Sequence, residues 1–138
     1  MIRLNVIAEG ETEQTFVLGY LSQHLASRNI ICTSTLPGRR GGDIRYPRFK
    51  RELLRLMSHD QTSFFSCMID YFALNNEFPG FDEAQSIIDA HARVIFLEEA
   101  LAQDINQQKF IPYIQLHEFE ALVFTDMGAG KSTITSDQ

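Results

Sequence analysis

The sequence predicts an α/β fold: a three-layer sandwich in which a mainly parallel sheet lies between two layers of helices. Apolar, β-branched runs alternate with amphipathic segments along the chain, as they do in such folds. The run 64–69 is almost continuously apolar, which is typical of a central parallel strand covered on both faces. The chain has 138 residues, 44% of them hydrophobic, which suits one domain with its own core.

The first half of the chain is predicted to contain two strands and two helices. Gly10 permits a sharp turn after the first strand, and the stretch 37–43 (PGRRGGD) has the composition of a flexible loop. The predicted elements are a strand at 2–8, a helix from about 12 to 27, a strand at 30–36 and a helix from about 46 to 58.

The second half repeats the alternation. Its predicted elements are a strand at 63–70, a long helix from about 82 to 105, a strand at 110–116 and a short helix from about 118 to 124. The segment 75–80 (NNEFPG) has strong turn chemistry. Pro112 cannot donate a ladder hydrogen bond, so the last strand is expected near an edge of the sheet.

Three of these strands end in carboxylates. Glu9 and Glu13 flank the turn after the first strand, Asp70 ends the third, and Glu118 and Glu120 follow the last. Because the carboxyl ends of parallel strands face one crevice, these acids are expected to converge there. Carboxylates so close together repel one another unless a hard cation such as Mg²⁺ (or Mn²⁺) neutralises them. The pattern therefore predicts a magnesium site that works on phosphates.

Most of these acids also have a structural interpretation. Glu13, Glu118 and Glu120 suit the first turn of a helix, where negative charge is favourable. Asp70 suits a cap on the turn that follows its strand. Glu9 is not explained in this way, because it stands outside the helix at the end of a buried strand.

The positive charge of the chain is concentrated in one segment. The net charge is -6, yet seven of the 12 Lys and Arg residues lie within 39–55, where only two acids accompany them. A local basic patch beside a metal site would suit a phosphate backbone, and a solvated helix face is the alternative. The candidate nucleic-acid contacts are Arg39, Arg40, Arg45, Arg48, Lys50 and Arg51.

The sequence gives no sign of export or of a membrane span. Cys32 and Cys67 lie in apolar runs without metal-ligand spacing and imply no disulfide framework. No signal peptide is apparent, and no apolar run approaches about 18 residues. A cytoplasmic protein is expected.

The last twelve residues differ in character from the rest. Residues 1–126 are predicted to form the domain, and 127–138 a disordered tail. The stretch 128–133 (GAGKST) is similar to the end of a phosphate-binding P-loop, but Thr125 stands where that motif needs its first Gly. The disordered tail is the better interpretation.

Three segments together resemble the Toprim fold of type IA topoisomerases and OLD-family nucleases, and more closely a Toprim-like bacterial family of uncharacterised proteins. They are Glu9–Glu13 (EGETE), Asp70–Phe72 (DYF) with 78–80 (FPG), and His117–Leu122 (HEFEAL). The resemblance covers about residues 2–126. It implies Mg²⁺-dependent phosphodiester chemistry, most like a nuclease, beside a partner ATPase in defence against phage or plasmid DNA.

The chain departs from the Toprim pattern in two respects. Toprim proteins usually carry Asp-x-Asp at the later strand, and here Phe72 occupies the second position. Glu118 or Glu120 would have to replace that carboxylate. Members of the resembling family continue beyond the last motif, so this chain is expected to be a truncated copy.

Two functions from different classes follow. In the first, the protein is a nuclease: Glu9, Asp70 and Glu118 or Glu120 hold the metal, and Glu13 or His117 accepts the proton. A partly buried, hydrogen-bonded histidine is the alternative interpretation of His117. In the second, the chain keeps the fold but lacks a complete metal site, and it binds nucleic acid or a partner ATPase without cutting.

Overall fold

A computed structural model describes residues 1–37 and 44–116 and confirms the α/β fold. Its five strands form a sheet in which every described pairing is parallel, in the order β2-β1-β3-β4, with β5 also paired to β3. The strands are β1 (Ile2–Ala8), β2 (Ile30–Thr35), β3 (Phe64–Asp70), β4 (Phe110–Ile111) and β5 (Ile114–Gln115). The predicted helix at 118–124 and most of the predicted loop at 37–43 lie outside the described residues.

The centre of the sheet is the predicted pair of strands, β1 and β3. Leu4 pairs with Phe64, and the register continues to Ala8 opposite Met68. The last three residues of β1 are buried, as are Cys67, Met68 and Ile69 of β3. The carboxyl ends of β1 and β3 therefore lie side by side.

The predicted strand at 110–116 is present as two short pieces. Phe65 pairs with Phe110 and Asp70 pairs with Gln115, so β4 and β5 keep one register along β3. Pro112 lies in the gap between them, and it has no N–H to donate to a ladder. It stands on the outermost strand of this side of the described sheet, as the sequence predicted.

Side chains alternate between the two faces of the sheet and build a core on each. One face carries Ile7, Phe65, Cys67 and Ile69, which pack with α3 (Tyr46–His59) and α5 (Ala90–Ile105). The other face carries Val6 and Met68, which pack against Val17 and the helical segment around it. The layers are thus helix, sheet and helix.

Two predicted helices differ from their expected form. The first is α1 (Glu11–Phe16), a π-helical turn (Val17–Leu21) and α2 (Ser22–Ala26) in succession. The prediction of one helix over 82–105 was wrong: α4 (Phe81–Ala84) is separate, and α5 begins only at Ala90. The side chain of Asp89 accepts a hydrogen bond from the N–H of Ala92 at 2.8 Å, and this N-cap starts a new helix.

Arg93 stabilises the break between α4 and α5. Its guanidinium donates to the carbonyls of Ile87 (2.8 and 3.0 Å) and Ile88 (3.2 Å), which lie outside both helices. In the described ranges, no helix is long and apolar enough to cross a membrane.

Candidate functional site

Glu9 and Asp70 meet at the carboxyl edge of the two central strands. The N–H of Glu9 extends the ladder by donating to the carbonyl of Met68 at 3.1 Å. Its Oε1 then accepts a hydrogen bond from the N–H of Asp70 at 2.9 Å. Since an Asp carboxylate lies within about 5 Å of its own backbone nitrogen, the two carboxylates are at most about 8 Å apart. The convergence of these two predicted residues is therefore confirmed, whereas metal binding stays a prediction.

Asp70 also caps the turn that follows β3. Its Oδ1 accepts a hydrogen bond from the N–H of Phe72 at 3.0 Å, which starts a 3₁₀ turn over Tyr71–Ala73. The structural interpretation of Asp70 is thus correct, but it occupies only one oxygen. Within residues 1–37 and 44–116, the second oxygens of Glu9 and Asp70 accept no hydrogen bond.

The ionisation of Glu9 is perturbed by its surroundings. The pKa of the Glu9 carboxyl is raised to about 6 in total. Burial is the largest cause, the hydrogen bond from the Asp70 N–H opposes it, and the negative charges of Glu13 and Asp70 add to it. At neutral pH the group is mostly ionised, in a place where ionisation is unfavourable. A bound cation would relieve this repulsion.

Glu13 belongs to the same edge because of the tight turn at Gly10. The N–H of Gln14 donates to the carbonyl of Gly10 at 3.0 Å, which directs the first helical turn back over the end of β1. Glu13 is partly buried, and its charge acts on Glu9. Even so, the described residues contain no group of three or more His, Cys, Asp or Glu side chains arranged to hold a metal ion.

The remaining predicted metal ligands and one of the two candidate proton acceptors lie outside the described residues. These are His117, Glu118 and Glu120. β5 pairs Gln115 with Asp70, so the described chain ends one residue later, beside the carboxylate edge. Of the three predicted metal ligands, the structure describes Glu9 and Asp70 but not the third, Glu118 or Glu120.

The basic segment is only partly free to meet a ligand. Arg45 forms a bidentate ion pair with Glu77, at 2.7 and 2.8 Å, and Lys50 pairs with Asp104 at 3.0 Å. Arg48 and Arg51 are exposed on α3. No ion pair of the described residues involves either of these two. Arg39 and Arg40 lie outside the described ranges.

Two further polar residues near the site were not found by sequence analysis. Glu98 of α5 accepts a hydrogen bond from the N–H of Ile114 at 2.8 Å, and burial raises the pKa of its carboxyl. Gln115 is buried and accepts from the hydroxyl of Tyr113. The only sequence signal for Glu98 was an acid next to the apolar stripe of a helix.

A cavity of 630 Å³ lies at the opposite edge of the sheet. It is lined by residues that precede β3 and β4, among them Asp60, Gln61 and Asn106. Hydrogen bonds from Ser63 and Thr62 lower the pKa of Asp60 to about 2, so this carboxylate is occupied in holding its own turn. Glu9, at the other edge, combines burial that raises its pKa with two neighbouring acids, Glu13 and Asp70, which favours the Glu9 edge as the functional site.

A family model matches residues 8–137, a span that includes Glu9, Glu13 and Asp70. Its description is Domain of unknown function (DUF4276). No curated protein and no solved structure matches the chain significantly. The evidence for an activity is therefore the geometry of the chain itself.

Proposed function

The chain belongs to the DUF4276 family, and we propose that it is a divalent-cation-dependent, nuclease-like phosphodiester hydrolase. One observation carries the proposal: the half-buried Glu9 carboxylate, whose pKa is raised to about 6, is hydrogen-bonded to the backbone of Asp70 where two central parallel strands end. The crevice at such strand ends is where α/β proteins bind their ligands. Repulsion among Glu9, Glu13 and Asp70 favours a hard cation there.

In this proposal the free oxygens of Glu9 and Asp70 hold Mg²⁺ or Mn²⁺. The cation would lower the pKa of a bound water and offset negative charge on the phosphate. Glu13 is the described candidate for the group that accepts the proton, with His117 as the other candidate from the sequence. Glu118 or Glu120 would complete the ligand set.

The second candidate is a binding module that does not cut nucleic acid. The absence of a three-ligand cluster among the described residues favours it. The exposed Arg48 and Arg51 would still attract a phosphate backbone. A partner ATPase and a role in anti-phage or anti-plasmid defence are implied by the resemblance to OLD-family nucleases alone.

The test is cleavage of labelled single-stranded and double-stranded oligonucleotides, with MgCl₂, with MnCl₂ and with EDTA. Asp70→Asn and Glu9→Gln are the informative variants, because each keeps the acceptor for the backbone N–H and removes only the charge. Glu11→Gln is the matched control, since Glu11 is an exposed acid of the same turn. We expect metal-dependent cleavage by the wild type and the control, and a loss of at least about 100-fold in the other two. Cleavage that survives in EDTA, or that is equal in all four proteins, would refute the proposal.

A further inference from the structure

Phe72 is exposed beside the carboxylate edge. Its side chain is 72% exposed, more than any other aromatic side chain of the described residues. Burying a phenylalanine is favourable, and the core phenylalanines Phe49, Phe65 and Phe78 are at most 4% exposed. The ring lies on the turn that Asp70 itself caps, so a ligand held at the carboxylate edge would be within its reach.

The ring is presented by a firmly held turn. Asp70 caps the N–H of Phe72, and the N–H of Leu74 donates to the carbonyl of Tyr71 at 3.1 Å. The rings of Tyr71 and Phe72 form an edge-to-face contact with centroids 5.3 Å apart, and the Phe72 side chain stays 72% exposed. Arg93 in turn holds Tyr71, through a hydrogen bond of 3.2 Å to its hydroxyl.

The basic start of α3 lies against the same segment. Asn75 donates to the carbonyl of Ile44 at 3.2 Å, and Glu77 pairs with Arg45. The exposed Arg48 and Arg51 follow on that helix. An aromatic ring and a pair of carboxylates thus share one edge of the sheet, and the helix that carries Arg48 and Arg51 begins against the segment after the ring.

We propose that Phe72 stacks on a base of an unpaired nucleotide whose phosphate lies at the Glu9–Asp70 edge. The inference rests on the proposed function and names its substrate class, single-stranded nucleic acid. Every base has a π-face that can stack on an aromatic ring, but in a duplex those faces are covered by the neighbouring base pairs. A flat exposed ring beside a phosphate site therefore selects single strands, as an exposed aliphatic side chain would not.

The wild-type chain contains no tryptophan, which allows a direct test of stacking. Phe72→Trp would introduce a single fluorescent reporter at the proposed contact. Titration with unlabelled oligothymidylate, with Ca²⁺ present to limit cleavage, should quench its emission, while a duplex of equal length should leave it nearly unchanged. Ile88→Trp is the control, because Ile88 is 94% exposed on the neighbouring loop before α5. Equal quenching of both reporters would overturn the proposal.

Affinity gives a second measurement. Phe72→Ala should weaken binding of labelled single-stranded oligonucleotide by about 5- to 150-fold, the range expected for one stacked base. It should change duplex binding by less than about 2-fold, and Phe72→Trp should restore single-strand affinity. An unchanged single-strand affinity in Phe72→Ala would overturn the proposal and favour a protein contact for this ring.

The two proposals fail in different ways. If Phe72→Ala keeps both metal-dependent cleavage and its affinity for single strands, the hydrolase proposal stands and stacking is rejected. If the wild type binds single strands through Phe72 but does not cleave them, stacking is supported and the protein is a binding module. A wild type that binds no oligonucleotide at low salt would reject both.

Discussion

Replacing Glu9 by Gln tests the electrostatics of the site without disturbing its hydrogen bond. The amide Oε1 can still accept from the Asp70 N–H, which in the wild type donates to Glu9 at 2.9 Å. What disappears is a half-buried charge that lies near two other carboxylates. The variant therefore separates the cost of ionising Glu9 from the geometry that Glu9 maintains.

The magnitude follows from the pKa. The difference between 4.5 and about 6 corresponds to about 2 kcal/mol between the two protonation states. Because Glu9 is only half buried, solvent screening reduces the effect on folding to about 1 kcal/mol. We expect metal-free Glu9→Gln to be more stable than the wild type by about that amount at pH 8, or by about 3–5 °C in melting temperature.

The direction of the effect on folding stability follows from the raised pKa of Glu9. A carboxyl whose pKa is higher in the folded state holds its proton more tightly there than in the unfolded chain. Wild-type stability should therefore fall as the pH rises from about 4.5 to about 6, and the loss should be complete above that window. The advantage of Glu9→Gln should vanish near pH 4.5, where the wild-type group is protonated in the folded protein.

Urea unfolding of both proteins at pH 4.5 and pH 8, with EDTA present, measures these differences. Adding MgCl₂ or MnCl₂ at constant ionic strength should reverse the order at pH 8, because a ligand of the folded state stabilises it by about 2.7 kcal/mol at 100 times its Kd. Glu11→Gln, the exposed control, should keep the metal response. A metal-free Glu9→Gln that is less stable than the wild type at pH 8 would refute the reasoning, as would a wild type that gains nothing from millimolar metal.

Three further predictions concern the fold and the basic segment. Gly80→Ala should cost about 1–3 kcal/mol in urea unfolding, because φ is +78° and the new Cβ would lie 2.9 Å from Ala100 Cβ; Gly19→Ala, with nothing within 4 Å, should instead be neutral or gain up to about 1 kcal/mol. Leu53→Ala should cost about 3–5 kcal/mol in the same assay, because Leu53 is fully buried in the core beneath α3. If the basic segment binds a phosphate backbone, a triple alanine variant should make log affinity depend less steeply on log salt, by the equivalent of up to about three phosphate contacts. An oligonucleotide titration at several salt concentrations measures this, and equal slopes in the two proteins would contradict it. The three residues replaced are Arg39, Arg40 and Arg45.

The positions of the strands could be predicted because they depend on local pattern. The continuous apolar run of β3 and the β-branched run of β2 indicate strands without any knowledge of their partners. The turn at Gly10 and the acids at the strand ends could be located in the same way. The parallel direction of the strands then follows from the alternation with helices, because each helical crossover returns the chain to the same end of the sheet.

The break in the predicted long helix could not be found by the same reasoning. The apolar periodicity of 82–105 favours one helix, yet Asp89 caps the N–H of Ala92 and Arg93 holds the carbonyl of Ile87. Both contacts compete with the helical hydrogen bonds of the backbone. Periodicity reports which face is buried, and it does not report such competition.

The sheet, its central strands and the edge at which Glu9, Glu13 and Asp70 belong follow from the sequence alone. How these groups act on one another depends on the packing of the folded chain. Glu9 and Asp70 are 61 residues apart in sequence, and the hydrogen bond between them depends on the register of β1 against β3. Likewise, Arg45 and Lys50 are held by acids 32 and 54 residues away. Charge and pKa depend on distance in space, which a local pattern of residues does not contain.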